Sequence, residues 1–541
     1  MKKLIIFFLF LGSVWSVMQA QSKADYTWVL GYPTLIPGQP NIENYGGMFL
    51  HFTEDTVTVE KFDIFAGPPS AVANDTAGNL QFYTTGCGIY GHNMQLMENG
   101  EGLNLGGTLY RNTCLTYNNY VVIRSGTLIL PQPDSDNKHV QFHLRAEEES
   151  DPTFLTGYRD IFDHFYHTDI DMSTNGGLGK VTAKNQLVVA DSLHDAVCAV
   201  RHGNGRDWWV IIPRGKGRQF WKILLTPEGI QTPFLDSYPP YPPFEVRYFD
   251  FETGASIIPE EYEFESWAGQ AIFSPDGSKY CRIIKAEEVE IYDFDRCTGY
   301  MKLLRTLPYP GYSGANPPVP IAACGLAVSP NNRYLYFNNS ETLYQFDMCA
   351  ERIGQGDFEV VGEYNGGNDD GLAATFFQMR NAPDGKIYMG ATNTVKSLHV
   401  INAPNEPGLA CRFVQQGLQL PRFYSWVINY FPNFRLYDAP GSPCDTLDID
   451  APEPPQPMYT FEDFRLFPNP ASQEAILYLP HCDGARIRVW NVAGQLIHDI
   501  PFINSKEVYR MNISDWASGT YIVAAYIDAN RPTIRRLVVV H

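Results

Sequence analysis

Residues 270–295 read Gln-Ala-Ile-Phe-Ser-Pro-Asp-Gly-Ser-Lys-Tyr-Cys-Arg-Ile-Ile-Lys-Ala-Glu-Glu-Val-Glu-Ile-Tyr-Asp-Phe-Asp. An apolar strand runs into a Pro-Asp-Gly turn, a second strand returns, and a third follows after another tight turn. Residues 325–347 repeat the pattern as Gly-Leu-Ala-Val-Ser-Pro-Asn-Asn-Arg-Tyr-Leu-Tyr-Phe-Asn-Asn-Ser-Glu-Thr-Leu-Tyr-Gln-Phe-Asp, and a third copy runs from Met379 to Gly390. The turn prolines Pro275, Pro330 and Pro383 lie 55 and 53 residues apart. Cys297 and Cys349 also stand in matching places, each just after an Asp that ends a strand. A repeat of that size, with about four short strands per unit, is the period of a β-propeller blade. One small sheet cannot bury both faces; stacking sheets around an axis buries them and leaves only short edges.

Weaker copies lie upstream, at Asp75–Thr84, Asp134–Leu144 and His202–Ile212. These make six units. A seventh is expected from the two chain ends, with Trp28–Leu30, Met48–Phe52 and Thr56–Val59 from the front and Phe423–Ile428 from the back. The expected fold is all-β, a propeller of seven blades (six and eight being the neighbouring counts) over residues 21–437, followed by a smaller domain.

The composition agrees. Of 541 residues, 44% are apolar, 14% aromatic and only 18% charged, with 45 Gly and 39 Pro. Disordered chains are poor in aromatics and rich in charge, so that class is excluded. The net charge of −20 disfavours nucleic acid as a partner, because phosphate is repelled.

Met1-Lys2-Lys3 is a short basic start, Leu4–Leu11 an unbroken apolar run, and Ala20 a small residue suited to cleavage. This is the three-part pattern of a secretory signal peptide over residues 1–20, too short to span a bilayer comfortably. No other stretch is apolar enough to cross a membrane as a helix. All ten Cys lie beyond it, an even number that permits disulfides in an exported chain.

Residues 438–458 are Pro-rich and read as a stiff, extended linker. From Pro457 onward, eight basic and eight acidic residues balance, so all of the −20 sits on the rest of the chain. That break supports a second domain over 459–541. Short alternating runs at 475–479, 486–490, 495–497, 521–526 and 536–540 predict a small Ig-like β-sandwich of about seven strands.

Four motifs stand in order in this tail: Phe467-Pro468-Asn469-Pro470-Ala471; Val489-Trp490-Asn491-Val492-Ala493-Gly494-Gln495-Leu496-Ile497; Trp516-Ala517-Ser518-Gly519-Thr520-Tyr521-Ile522-Val523; and Arg535-Arg536-Leu537-Val538-Val539-Val540. Together they resemble the type A C-terminal sorting domain of the type IX secretion system of the Bacteroidetes. The residues carrying the resemblance are Pro468, Asn469, Pro470, Gly494, Gly519, Tyr521 and Arg536. Asn491 stands where an Asp is common, and the chain ends in His541. The resemblance implies export across the inner membrane, recognition by the type IX translocon, and removal of the tail by a surface sortase near residues 450–462. Gly494 and Gly519 also relieve turns, and Tyr521 and Val523 pack a core, needs that any such domain has. Phe431–Leu436 and Gly441–Asp445 are similar to the end of WD-repeat-like propellers from the same bacterial group, a likeness that brings a fold and no activity.

Catalytic signals are weak by comparison. Asp169–Gly177 lacks the Gly and Glu that a calcium loop needs, and a turn at a strand end is the better reading. Asp160, Asp163, His164, His167 and Asp169 could ligate a metal, but 164–172 reads more simply as a strand paired with His139–Arg145. Gly203-Asn204-Gly205 and Gly215-Lys216-Gly217 lack the strand-to-helix setting of a phosphate loop. Cys87 near His92 has no local signature of a thiol nucleophile. Trp208, Trp209, Trp221 and Trp267, with Tyr238–Phe244, could offer an aromatic binding surface; packing between blades is the bland alternative. No catalytic residue, metal or cofactor is therefore assigned. The expected function is an exported binding protein for an extracellular glycan or protein. A propeller lyase or glycosidase is the alternative, requiring convergent carboxylates about 5–9.5 Å apart if a glycosidase. A structural adhesion module is the third reading.

Overall fold

The computed structural model describes residues 22–32, 43–62, 71–115, 125–150, 158–215, 217–238, 248–249, 256–257, 270–284, 288–308, 325–349, 358–369, 371–439, 442–445, 447, 465–478, 485–503, 508–526 and 533–541. The expected signal peptide, Trp267 and Pro239–Phe244 lie outside these.

The repeated turns are built alike. The Gly277 N–H donates to the Ser274 carbonyl, Asn332 to Ser329 and Gly385 to Ala382. Each turn places its third residue in the left-handed region, with φ of 73° at Gly277, 60° at Asn332 and 74° at Gly385. Gly and Asn are the residues that tolerate it. The preceding Asp276, Asn331 and Asp384 each accept the N–H two positions on, at 3.0, 3.2 and 3.2 Å. Local chemistry thus specifies the hairpins before any tertiary contact forms.

Each hairpin is the start of an antiparallel sheet. In chain order, the first strands of the sheets are Thr27–Tyr32, Ala71–Asn74, Thr127–Pro131, Cys198–Arg201, Ala271–Phe273, Leu326–Val328 and Phe376–Asn381. The first sheet has three strands; the second and third are joined through one parallel pair, Lys180 with Glu98, into an eight-stranded sheet. The last four-stranded sheet closes with Phe413–Tyr424.

Apolar clusters fill each gap between successive sheets. Val29 packs with Val72 and Tyr83; Phe82 with Ile129 and Ile170; Leu128 and Phe142 with Trp208 and Ile223; Phe220 with Tyr280 and Tyr292; Ile283 and Ile291 with Leu335 and Phe337; Tyr336 with Phe376 and Met389. The last gap is closed by Trp28 and Leu50 against Tyr388 and Leu398, so the final sheet packs on the first. The arrangement is all-β and propeller-like, and among the described residues each sheet shares an apolar cluster with the next.

The back of the chain behaves differently from the expected closing strand. Phe423 and Tyr424 end the preceding strand, and Ser425–Ile428 form none. The Ser425 N–H still reaches the Gly31 carbonyl. Beyond it the chain turns toward the axis, because the Val29 N–H is taken by the Asn429 side chain instead of a neighbouring backbone.

Five described cysteines are disulfide-bonded: Cys87 with Cys114, Cys297 with Cys444, and Cys349. Cys198, Cys281 and Cys411 are free and buried. Tyr437 and Ala439 are pinned to the ring as well. Arg296 donates to the Tyr437 carbonyl, and the Ala439 N–H to the Gly203 carbonyl. The tail forms two sheets, one of three strands and one of four, over a shared core of Ala475, Leu477 and Met511 against Ile487, Val489, Val523 and Leu537.

Candidate functional site

The first and last motifs of the tail meet. The Asn469 Nδ2 donates to the Arg536 carbonyl at 2.6 Å, and its Oδ1 accepts the Val538 N–H at 2.9 Å. Ala471 then trades backbone hydrogen bonds with Val538 and Val540. Pro468 and Pro470 both follow cis peptide bonds and flank this contact. Asn491 and Gly494 form the central turn: the Asn491 Oδ1 accepts the N–H of Ala493 and Gln495, and Gly494 has φ 78° with open space around it. Tyr521 donates its hydroxyl to the Ala517 carbonyl at 2.8 Å and packs 4.9 Å from the Trp516 ring. Gly519 opens the strand that carries Tyr521. The motif residues thus divide into an end-to-end junction and a turn-and-core set.

The second feature lies on the axis of the ring, where residues 429–436 run between the sheets. The Tyr430 hydroxyl accepts from the Ala199 N–H at 3.1 Å. Phe434 packs edge-on to Trp208, and Phe431 sits beside Trp28. The Asn433 amide donates to the Pro275 carbonyl at 2.6 Å. Arg435 pairs with Asp25. One short segment therefore contacts the first, fourth and fifth sheets. Beside it lies a cavity of about 300 Å3, walled by the first strands and by the Pro275, Pro330 and Pro383 turns. Ile272, Leu326 and Val328 make it largely apolar; Arg380, Asn429 and the paired Asp25 and Arg435 are its polar and charged side chains of note.

Other polar groups are consumed between sheets. Burial alone would raise the Glu290 carboxyl, but Arg282, Tyr292 and Arg218 outweigh it and hold the group ionised below its usual range. Lys222, fully buried, donates to Asp236, the Tyr238 hydroxyl and the Gly299 carbonyl. Such paired, buried charges fix how neighbouring sheets register.

The weaker sequence candidates disperse. His164 to Asp171 does pair with Lys138 to Arg145. Just before it Asp163 is held by Arg145 and His164, and within it His167 bonds Asp169 at 3.0 Å. Among the described residues no group of three metal-ligating side chains converges. Cys87 is in a disulfide, which removes it as a nucleophile. Trp208 and Trp209 are buried between sheets, and Trp221 donates its indole N–H to Asp191. Trp208 and Trp209 thus present no aromatic surface to solvent, and Trp221 is half-buried. The Gly203–Gly205 turn is covered by Asp438.

Among solved structures, the chain is similar to a 6-phosphogluconolactonase candidate from Bacteroides uniformis, at 11% identity and a TM-score of 0.41 over 75% of this chain and 100% of that one. It is similar to the periplasmic gluconolactonase PpgL of Pseudomonas aeruginosa, at 11% identity and a TM-score of 0.35 over 75% and 99%. It is also similar to the β-propeller domain of Cps50 (Swd1) from Myceliophteria thermophila, at 8% identity and a TM-score of 0.30 over 67% and 93%. At these values neither activity nor ligand transfers. No curated protein matches. Among the described residues no helix is long and apolar enough to cross a membrane. Residues 465–540 match the family described as the secretion system C-terminal sorting domain. The tail therefore implies export by the type IX machinery and an extracellular or cell-surface location.

Proposed function

We propose that the chain is an exported binding protein whose seven sheets are the blades of a seven-bladed propeller, delivered by an Ig-like sorting tail. Residues 1–20 are the signal peptide in this reading, and the type IX translocon and a surface sortase are its partners in transit. The segment 450–462 between ring and tail is the cut. What supports binding over catalysis is the axial cavity. Among its described lining residues the single carboxylate, Asp25, is already held by Arg435, which leaves no second carboxylate beside it for acid–base chemistry.

Mass spectrometry of the protein recovered outside a type IX-competent host tests the route. The expected species starts at Gln21 and ends within 450–462. Intact tail on periplasmic protein overturns the export claim, as does surface delivery of a chain truncated after Pro457. Glycan and protein arrays probed with the recovered passenger test binding; turnover of a polysaccharide would favour the enzyme alternative.

A further inference from the structure

The four-stranded sheet of the tail buries one face and shows the other. Val489, Val523 and Leu537 point into the shared core. Their neighbours Trp490, Ile522 and Arg536 therefore stand on the outer face, since side chains alternate along a strand. They form one row: Leu496 pairs with Trp490, Trp490 with Ile522, and Ile522 with Arg536. Ile534 shares that face, two residues before Arg536. Leu496 is 50% exposed, Ile522 40% and Ile534 56%. Trp490 is half-buried and lies outside the sandwich core. The row is apolar up to its end, where Arg536 is exposed.

The chain enters the tail beside this row. Ala471 bridges Val539 in parallel, and Asn469 holds Arg536 and Val538. Stepping back to Arg465 therefore runs along the edge strand Thr533–Val539 toward Ile534. The residues that arrive there carry the opposite charge. Tyr437 to Phe464 holds seven acidic residues and no basic one, whereas Arg465 to His541 holds eight basic and six acidic. The last seven before Arg465 are Met458-Tyr459-Thr460-Phe461-Glu462-Asp463-Phe464. In an extended chain Tyr459, Phe461 and Asp463 share one side. Read back from Arg465 they run acid, aromatic, aromatic. Read inward from its edge strand, the row runs Arg536, Ile522, Trp490. Seven extended residues reach about 23 Å, and four strands span about 15 Å.

We propose that residues 458–464 dock across this outer face, with Asp463 on Arg536, Phe461 on Ile522 and Tyr459 on Trp490. The tail then carries its own cover. Two aromatic side chains take apolar area out of water, and a carboxylate meets the exposed guanidinium. The inference does not rest on the binding reading, and it leaves 450–457 as the accessible part of the cut proposed above.

The test is hydroxyl-radical footprinting of the full chain, read by mass spectrometry at Trp490 and Ile522. Tyr459→Ser with Phe461→Ser lies outside the sandwich strands and is expected to raise modification of both at least about fivefold. Asp463→Arg alone should raise it about twofold, and Arg536→Asp alone likewise. The two together reverse the pair and should restore protection. Arg536→Asp keeps the backbone carbonyl that Asn469 uses, and protection of the Val538 amide in hydrogen exchange checks that the sandwich stays folded. Equal modification of the row in the unmodified chain and in Tyr459→Ser with Phe461→Ser overturns the proposal, since the segment then covers nothing. Protection that grows with protein concentration also overturns it, because the cover is then a second copy. Single charge variants that lose protection without recovery in the reversed pair overturn the seating of Asp463 on Arg536.

Discussion

Arg435 and Asp25, 410 positions apart, form a two-pronged ion pair in which Nη2 meets Oδ2 at 2.7 Å. Asp25 leads into the first strand of the ring, and Arg435 ends the segment that crosses its axis. The pair therefore joins the two chain ends of the ring in a way no sheet ladder does. Arg435→Met should cost about 3 kcal/mol, since it strands a nearly buried carboxylate. Denaturant unfolding checks this. The double variant Asp25→Leu with Arg435→Met should recover most of the loss, because both charges are then removed together.

The Cys297–Cys444 disulfide closes a sequence span of 147 residues and fastens the exit of the ring to the fifth sheet. Replacing both by Ser should lower stability by about 2–4 kcal/mol. Limited proteolysis should then open new cuts between Tyr437 and Asp445, where Tyr437 and Ala439 are otherwise held by Arg296 and Gly203. The same digestion after removal of Cys87–Cys114 should leave that stretch intact. Equal cutting in both variants would show that the clamp is general loosening.

The turns at Pro275, Pro330 and Pro383 were legible because their chemistry is local: a carboxamide or carboxylate, then a residue that accepts positive φ. The His164–Asp171 pairing was legible for a similar reason, an alternating strand next to another one. The axial segment was not. Phe423–Ile428 alternates like a strand, and nothing within it says that Asn429 will take the Val29 N–H from across the ring. Arg380, next after Met379, reads as an ordinary strand residue; that its Nε has no acceptor among the described residues emerges only once the sheets meet. Cys297 and Cys349 were matched by position, yet the partner of Cys297 depends on where residue 444 comes to rest.

Four histidines make stability fall with acid. Burial lowers the pKa of His143 to about 3, and of His139, His194 and His399 to about 4. In the unfolded chain these titrate near 6.5. Below that value the unfolded state binds more protons than the folded one, so stability rises with pH across this window and is lost as pH falls from about 6.5 toward 4. The expected slope approaches about 1.4 kcal/mol per pH unit for each histidine. Unfolding curves at pH 7, 6 and 5 check the sign. His139→Leu should flatten the slope by about one proton; an unchanged slope would mean that His139 is already charged in the fold.

Asn469 is the residue that ties the opening motif of the tail to its last strand. Both arms of its amide are used, one on the Arg536 carbonyl and one on the Val538 N–H. Asn469→Ala should weaken the tail by about 1–2 kcal/mol, in keeping with two solvent-accessible hydrogen bonds. Protection of the Val538 amide in hydrogen exchange should drop accordingly. If the translocon reads the joined ends as one surface, the exported fraction should fall with that protection. Asn469→Asp separates the two arms, since it keeps the acceptor for Val538 and loses the donor to Arg536. An Asn469→Ala chain that leaves the cell as efficiently as the unmodified one, with its Val538 amide unprotected, would show that the junction serves the sandwich and is not what the export machinery reads.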